Sequence, residues 1–77
     1  MYYVYVLKDR NNKKLYYGFT TDLKRRIREH IAKNKGWQLV YYEAYRKELD
    51  ARERESKLKH YGQARSHLKY RIEHSLE

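Results

Sequence analysis

Cysteine is absent from the 77-residue chain, which excludes both disulfide bracing and a cysteine-based zinc site. No apolar run approaches the length of a membrane span or of a secretory h-region, so the chain reads as a cytoplasmic protein with no membrane partner. Histidines stand apart at His30, His60, His67 and His74, with no tight ligand cluster among them. There is no internal repeat, long linker or low-complexity stretch, so residues 1–77 read as one small domain of modest stability. Acidic residues are also short, 10 against 19 lysines and arginines, and the resulting net charge of +9 favours a polyanionic partner. Nucleic acid stands ahead of an anionic membrane surface in that role. Phenylalanine occurs once, whereas tyrosine occurs ten times. Tyrosine can fill a small core with its polar tip at the edge, or stack on bases.

What is present is ordered like a mixed domain. Tyr2–Leu7, two valines among aromatics with no proline or glycine, predicts a strand. Asp9-Arg10-Asn11-Asn12 is turn chemistry, and Leu15–Phe19 resumes the β pattern, which together predict a β-hairpin. Pairing Lys8 with Lys13 would set Tyr5 opposite Tyr16 and Tyr3 opposite Gly18 on one face. Val4, Val6, Leu15, Tyr17 and Phe19 would then form the more ordinary hydrophobic face. Gly18 reads as a turn, and Thr20-Thr21-Asp22 as the N-cap of a helix from about Asp22 to Lys33 that ends near Gly36. Trp37–Tyr45 predicts a third strand. A second helix is expected from about Lys47 to His60 and a third over Gln63–Ser75, with Ala64, Leu68 and Ile72 as its stripe. The order ββαβαα predicts an α+β fold, a three-stranded antiparallel sheet packed by about three helices.

Two helical wheels carry polar side chains on the wrong side. Leu23, Ile27 and Ile31 mark the inward face of the first helix, and Lys24, Arg25 and Arg28 point away from it. Arg26 and His30 lie about 60° and 20° from Leu23, leaning toward whatever the helix covers. An arginine aimed at a sheet carrying Tyr16 is a poor core residue and a reasonable phosphate ligand. On the second helix Ala51, Leu58 and Gly62 define a small or apolar side, and Glu55 falls about 40° from Ala51, inside it. Glu55 could simply pair with Lys59 one turn on. An inward carboxylate needs a partner, and a divalent metal is one candidate.

Tyr3-Val4-Tyr5 and Tyr16-Tyr17-Gly18, with Arg26, His30 and the later Ala51…Glu55…Lys59, resemble the GIY-YIG nuclease superfamily over nearly the whole chain. The LVYYEAY segment of the third strand is most similar to the superfamily's small standalone members. The resemblance implies a metal-dependent endonuclease that hydrolyses a phosphodiester with one Mg2+ or Mn2+ and leaves a nick. Tyr16 would deprotonate the attacking water, directly or through a linked base, and Tyr5 would orient the water or that base. Arg26 would bind the scissile phosphate, with His30 positioning it or assisting proton transfer. Glu55 would hold the metal, and Lys59, Arg25 and Lys24 would contact the nucleic acid. DNA stands ahead of RNA as substrate, in repair or recombination, and a second copy or a partner protein would supply targeting. Three positions depart from the family pattern. Tyr3 replaces a glycine, Phe19 stands where some repair members carry lysine, and no asparagine follows Asn34, leaving Gln63 or His67 in its place. A non-catalytic nucleic-acid-binding domain, or a protein-interaction domain built on the tyrosines, is the alternative on the same fold.

Overall fold

A computed structural model describes all 77 residues. The elements are β1 (Tyr2–Asp9), β2 (Leu15–Thr20), α1 (Leu23–Lys33), β3 (Trp37–Tyr45), α2 (Glu48–His60) and α3 (Gly62–Arg71). They follow the expected ββαβαα order and form an α+β fold. The third helix stops at Arg71, short of the expected Ser75. The sheet runs β2-β1-β3 and both pairings are antiparallel. Its central strand is covered on both sides, which is why Val4, Tyr5, Val6 and Leu7 are buried in succession. No helix is long and apolar enough to cross a membrane.

The hairpin register differs from the expected one by two residues. Lys8 pairs with Leu15, so Tyr5 faces Gly18 and Tyr3 faces Thr20. The turn is longer than its composition indicates: Asp9 N–H bonds to Lys14 O at 2.9 Å, and Lys13 N–H to Asp9 O at 2.8 Å. Lys13 takes a left-handed φ of 61° to close it. The Asp9 carboxylate accepts from Asn11 N–H at 2.9 Å and from Asn34 Nδ2 at 2.8 Å, fastening the turn to the loop after α1. A slip of two preserves the parity of the pleat, so each side chain keeps its predicted face. Gly18 is no turn either. It lies within β2 at a φ any residue can adopt.

On one face, Val4 and Val6 pack with Ala51 and Leu58 of α2, Leu68 of α3 and Ile72. Full burial of a side chain such as Leu58 stabilises the fold by roughly 1.5–3 kcal/mol. A polar clamp joins the same layers. Glu43 of β3, only 14% exposed, meets Arg54 of α2 at 3.0 Å. Tyr41 donates to it at 2.7 Å, and Tyr45 donates to its other oxygen. Burial pushes the Glu43 carboxyl up, but bonds from Arg54, Tyr45 and Tyr41 outweigh this and leave it below its ordinary range.

The opposite face, with Tyr3, Tyr5, Tyr16 and Tyr42, is covered by α1 alone. Asp22 caps this helix by accepting from Arg25 N–H at 3.1 Å. None of its residues is fully buried; His30 is half-buried, in keeping with its expected inward lean, whereas Ile31 of the expected inward stripe is 38% exposed.

Candidate active site

Because β2 is an edge strand, its two faces can be approached from one side of the molecule. A cavity of about 490 Å³ wraps over that edge. Tyr16, Thr20 and Arg26 line it from the α1 side, and Phe19, Glu55 and Lys59 from the α2 side. Thr20 sets the chain's path between the two. Its hydroxyl oxygen accepts from Asp22 N–H at 3.0 Å, which starts α1 immediately after the strand.

Gly18 makes room behind Tyr16. A Cβ there would overlap the Tyr5 ring, so the absent side chain is the space Tyr5 occupies. Fully buried in that slot, Tyr5 places its hydroxyl 2.9 Å from His30 Nε2. Burial and the neighbouring Tyr16 raise the Tyr5 phenol to about 12, against a downward pull from Arg26. Burial, then the charges of Arg26 and Lys33, lower His30 from its ordinary value. At neutral pH the phenol is therefore protonated and the imidazole neutral. The phenol and Nε2 share one hydrogen bond, whose direction follows the histidine tautomer. Tyr16 leans on this pair, its ring 4.8 Å from that of His30 and 6.1 Å from that of Tyr5. Trp37 walls its other side at 6.2 Å.

The charges are lopsided. Arg25, Arg26, Arg52 and Lys59 line the cavity, with Glu55 as its one carboxylate. Arg26 forms an ion pair with Glu29 at 3.3 Å, and hydrogen bonding to that partner raises its pKa and keeps it charged. Arg52 lies 4.0 Å over the Phe19 ring, a cation–π contact that holds its guanidinium at the cavity wall. Glu55 makes the ion pair its spacing allows and also lies on the inward side of its helix. It pairs with Lys59 at 3.2 Å, and it is only 17% exposed where it faces the cavity. No group of three or more His, Cys, Asp or Glu side chains converges anywhere, which argues against an all-protein metal cage. A lone carboxylate beside a pocket lined by cationic side chains does fit a hard divalent ion that keeps most of its own waters.

Tyr5, Tyr16, Arg26, His30, Glu55, Lys59 and Arg25 thus come together, and Lys24 does not. It lines a separate groove on the far side of α1. Tyr3 stays out of the cavity as well, with its ring edge-on to Tyr42 at 6.1 Å. Gln63 and His67 line a third recess at the α2–α3 corner with Lys57 and His60, and neither reaches the cavity. Sequence reasoning missed Arg52 and Trp37. Arg52 had a signal, since it precedes Glu55 by three on one helix and shares its face. Trp37 had none, because its approach to Tyr16 depends on how β3 lies across the sheet.

No curated protein and no solved structure matches the chain. The family model of the GIY-YIG catalytic domain matches residues 1–71, a span that takes in both tyrosine strands, Arg26 and Glu55. With that span and the tyrosine, arginine and glutamate side chains gathered at one cavity, the chain belongs to the GIY-YIG family, whose members are in general nucleases.

Proposed function

We propose that this domain is a metal-dependent endonuclease that hydrolyses phosphodiester bonds in DNA. The observation that carries the reading is the meeting of Tyr16, Arg26 and Glu55 in one cation-rich cavity at the β2 edge. A phosphate entering there is held by Arg26 and Arg52, whose planar forks suit its oxygens, with Lys59 adding a point charge. The water oxygen bonds to phosphorus as the bond to the leaving sugar oxygen breaks. Tyr16, the phenol that opens into the cavity, takes the water's proton or passes it to a linked base. Tyr5 keeps its own proton and fixes the imidazole of His30, which orients Tyr16 by contact. Glu55 would hold a single Mg2+ or Mn2+, which when bound would supply Lewis-acid stabilisation of charge on the phosphate. DNA is placed ahead of RNA, and repair or recombination in the cytoplasm, with a second copy or partner protein for targeting, is the setting we infer.

The test is nicking of supercoiled plasmid with Mg2+ or Mn2+, with Arg26→Ala and Glu55→Ala alongside. Wild-type nicking that both variants lose by orders of magnitude supports the reading. A wild-type protein that binds plasmid and never nicks it overturns it. The Glu55–Lys59 ion pair would favour the alternative in that event, since a carboxylate already paired with lysine has no need of a metal.

A further inference from the structure

The groove that holds Lys24 has no part in the site above. It lies between α1 and β3, encloses about 660 Å³, and is floored by Tyr3, Leu23, Ile27, Leu39 and Tyr42. Tyr42 is 52% exposed and meets Tyr3 only edge-on, so ring surface is left open. α1 buries none of its residues fully, so the groove is an apolar face the fold itself does not fill. Lys24 and Arg28 line it one helical turn apart, and neither forms an ion pair. Its one acidic residue, Asp22, is committed to the helix cap and to Arg25 at 3.9 Å. The groove also adjoins the cavity. Thr21 lines both, and Arg25 reaches the cavity from the helical turn that sends Lys24 and Arg28 into the groove.

We propose that this groove is a second nucleic-acid site, which takes an unpaired base from the strand whose phosphate lies in the cavity. The inference rests on the nuclease reading and narrows its substrate to DNA with an unpaired nucleotide beside the cleaved bond. A phosphodiester backbone crossing the first two turns of α1 passes Arg25, then Lys24 and Arg28, and delivers its base to the tyrosine rings. Stacking needs a free base face, which an unpaired nucleotide presents and a base inside a duplex does not. Charge argues against the other occupant. A second copy of a chain with net charge +9, docked symmetrically here, would bring two sets of Lys24 and Arg28 face to face.

The experiment compares a duplex carrying a short single-stranded overhang with a blunt duplex of equal length, both bound by the full chain in chelator so that nothing is cut. The overhang carries 2-aminopurine at its first unpaired position. Wild type binds the overhang substrate more tightly and quenches the probe. Tyr42→Ala loses about 5- to 100-fold of that affinity, the range of one lost stacking contact, and keeps its affinity for blunt duplex. Tyr42→Phe retains both. Lys24→Gln with Arg28→Gln, both at exposed positions, weakens overhang binding without touching the rings. Equal affinity of Tyr42→Ala for the overhang, an unquenched probe, or a dimer in sedimentation that Tyr42→Ala dissolves would each overturn the proposal. Plasmid nicking separates it from the reading it rests on. A chain that nicks plasmid while Tyr42→Ala is indifferent to overhangs loses only the groove. One that stacks the probe and never nicks keeps the groove and loses the nuclease.

Discussion

Replacing Gly18 with alanine adds a single methyl group, and the structure locates it against the ring carbons and hydroxyl of Tyr5. Gly18 does not hold a left-handed φ, so backbone strain is not the issue, and the whole effect is steric. Tyr5 cannot yield easily, since it is fully buried in the central strand and bonded to His30. Overpacking of this kind costs roughly 1–3 kcal/mol, which in a domain of this size lowers Tm by roughly 5–20 °C. Losing the bond from Tyr5 to His30 accounts for about 1 kcal/mol within that range. Cleavage suffers more than stability, because a shift near 1 Å in a catalytic group can reduce the rate by about 10²-fold. Melting and plasmid nicking on one preparation give both values. Combining Gly18→Ala with Tyr5→Leu, which removes the obstructing end of the ring, should restore much of the stability and none of the activity. A Gly18→Ala protein that melts and nicks like wild type would show that Tyr5 does not depend on the space opposite it.

Two further outcomes follow from named side chains. Glu43 has a depressed pKa in the fold, so its stabilisation is present above its ordinary value of 4.5 and is lost as pH falls through the lower folded value. Glu43→Gln should therefore destabilise by roughly 1–3 kcal/mol at neutral pH and flatten the loss of stability in acid, and melting curves that stay parallel down to acid pH would refute this. Glu55→Gln should fold and bind DNA as well as wild type or better, with affinity that falls steeply with salt, while nicking drops by orders of magnitude. Wild-type nicking by that variant would remove Glu55 from any metal site.

Which side of the sheet each residue takes was legible because it depends only on alternation. Tyr5, Tyr16 and Gly18 share a face under any register that differs by an even number, and the observed shift is two. The register itself was not legible, since it is decided by a left-handed Lys13 and by Asn34 reaching back to Asp9 across the sequence. Helical spacing likewise located Arg26 and Glu55, but apolar character misjudged the edge of α1. Ile31 has the apolar side chain for the inward place, but on the same wheel it lies about 80° from Leu23 and His30 only about 20°. With the Tyr5 hydroxyl beneath, the imidazole of His30 takes the inward place. The departure at Tyr3 has the same explanation. Read along the chain, a tyrosine in a glycine position threatens to block the site, because Tyr3 and Tyr5 share a face. Once Tyr5 pairs with Gly18, Tyr3 falls opposite Thr20 at the end of the cavity, and its ring lies against Tyr42 instead of entering it. The side chain that breaks the family pattern thus builds a wall of the neighbouring groove, which a glycine at that position would leave open.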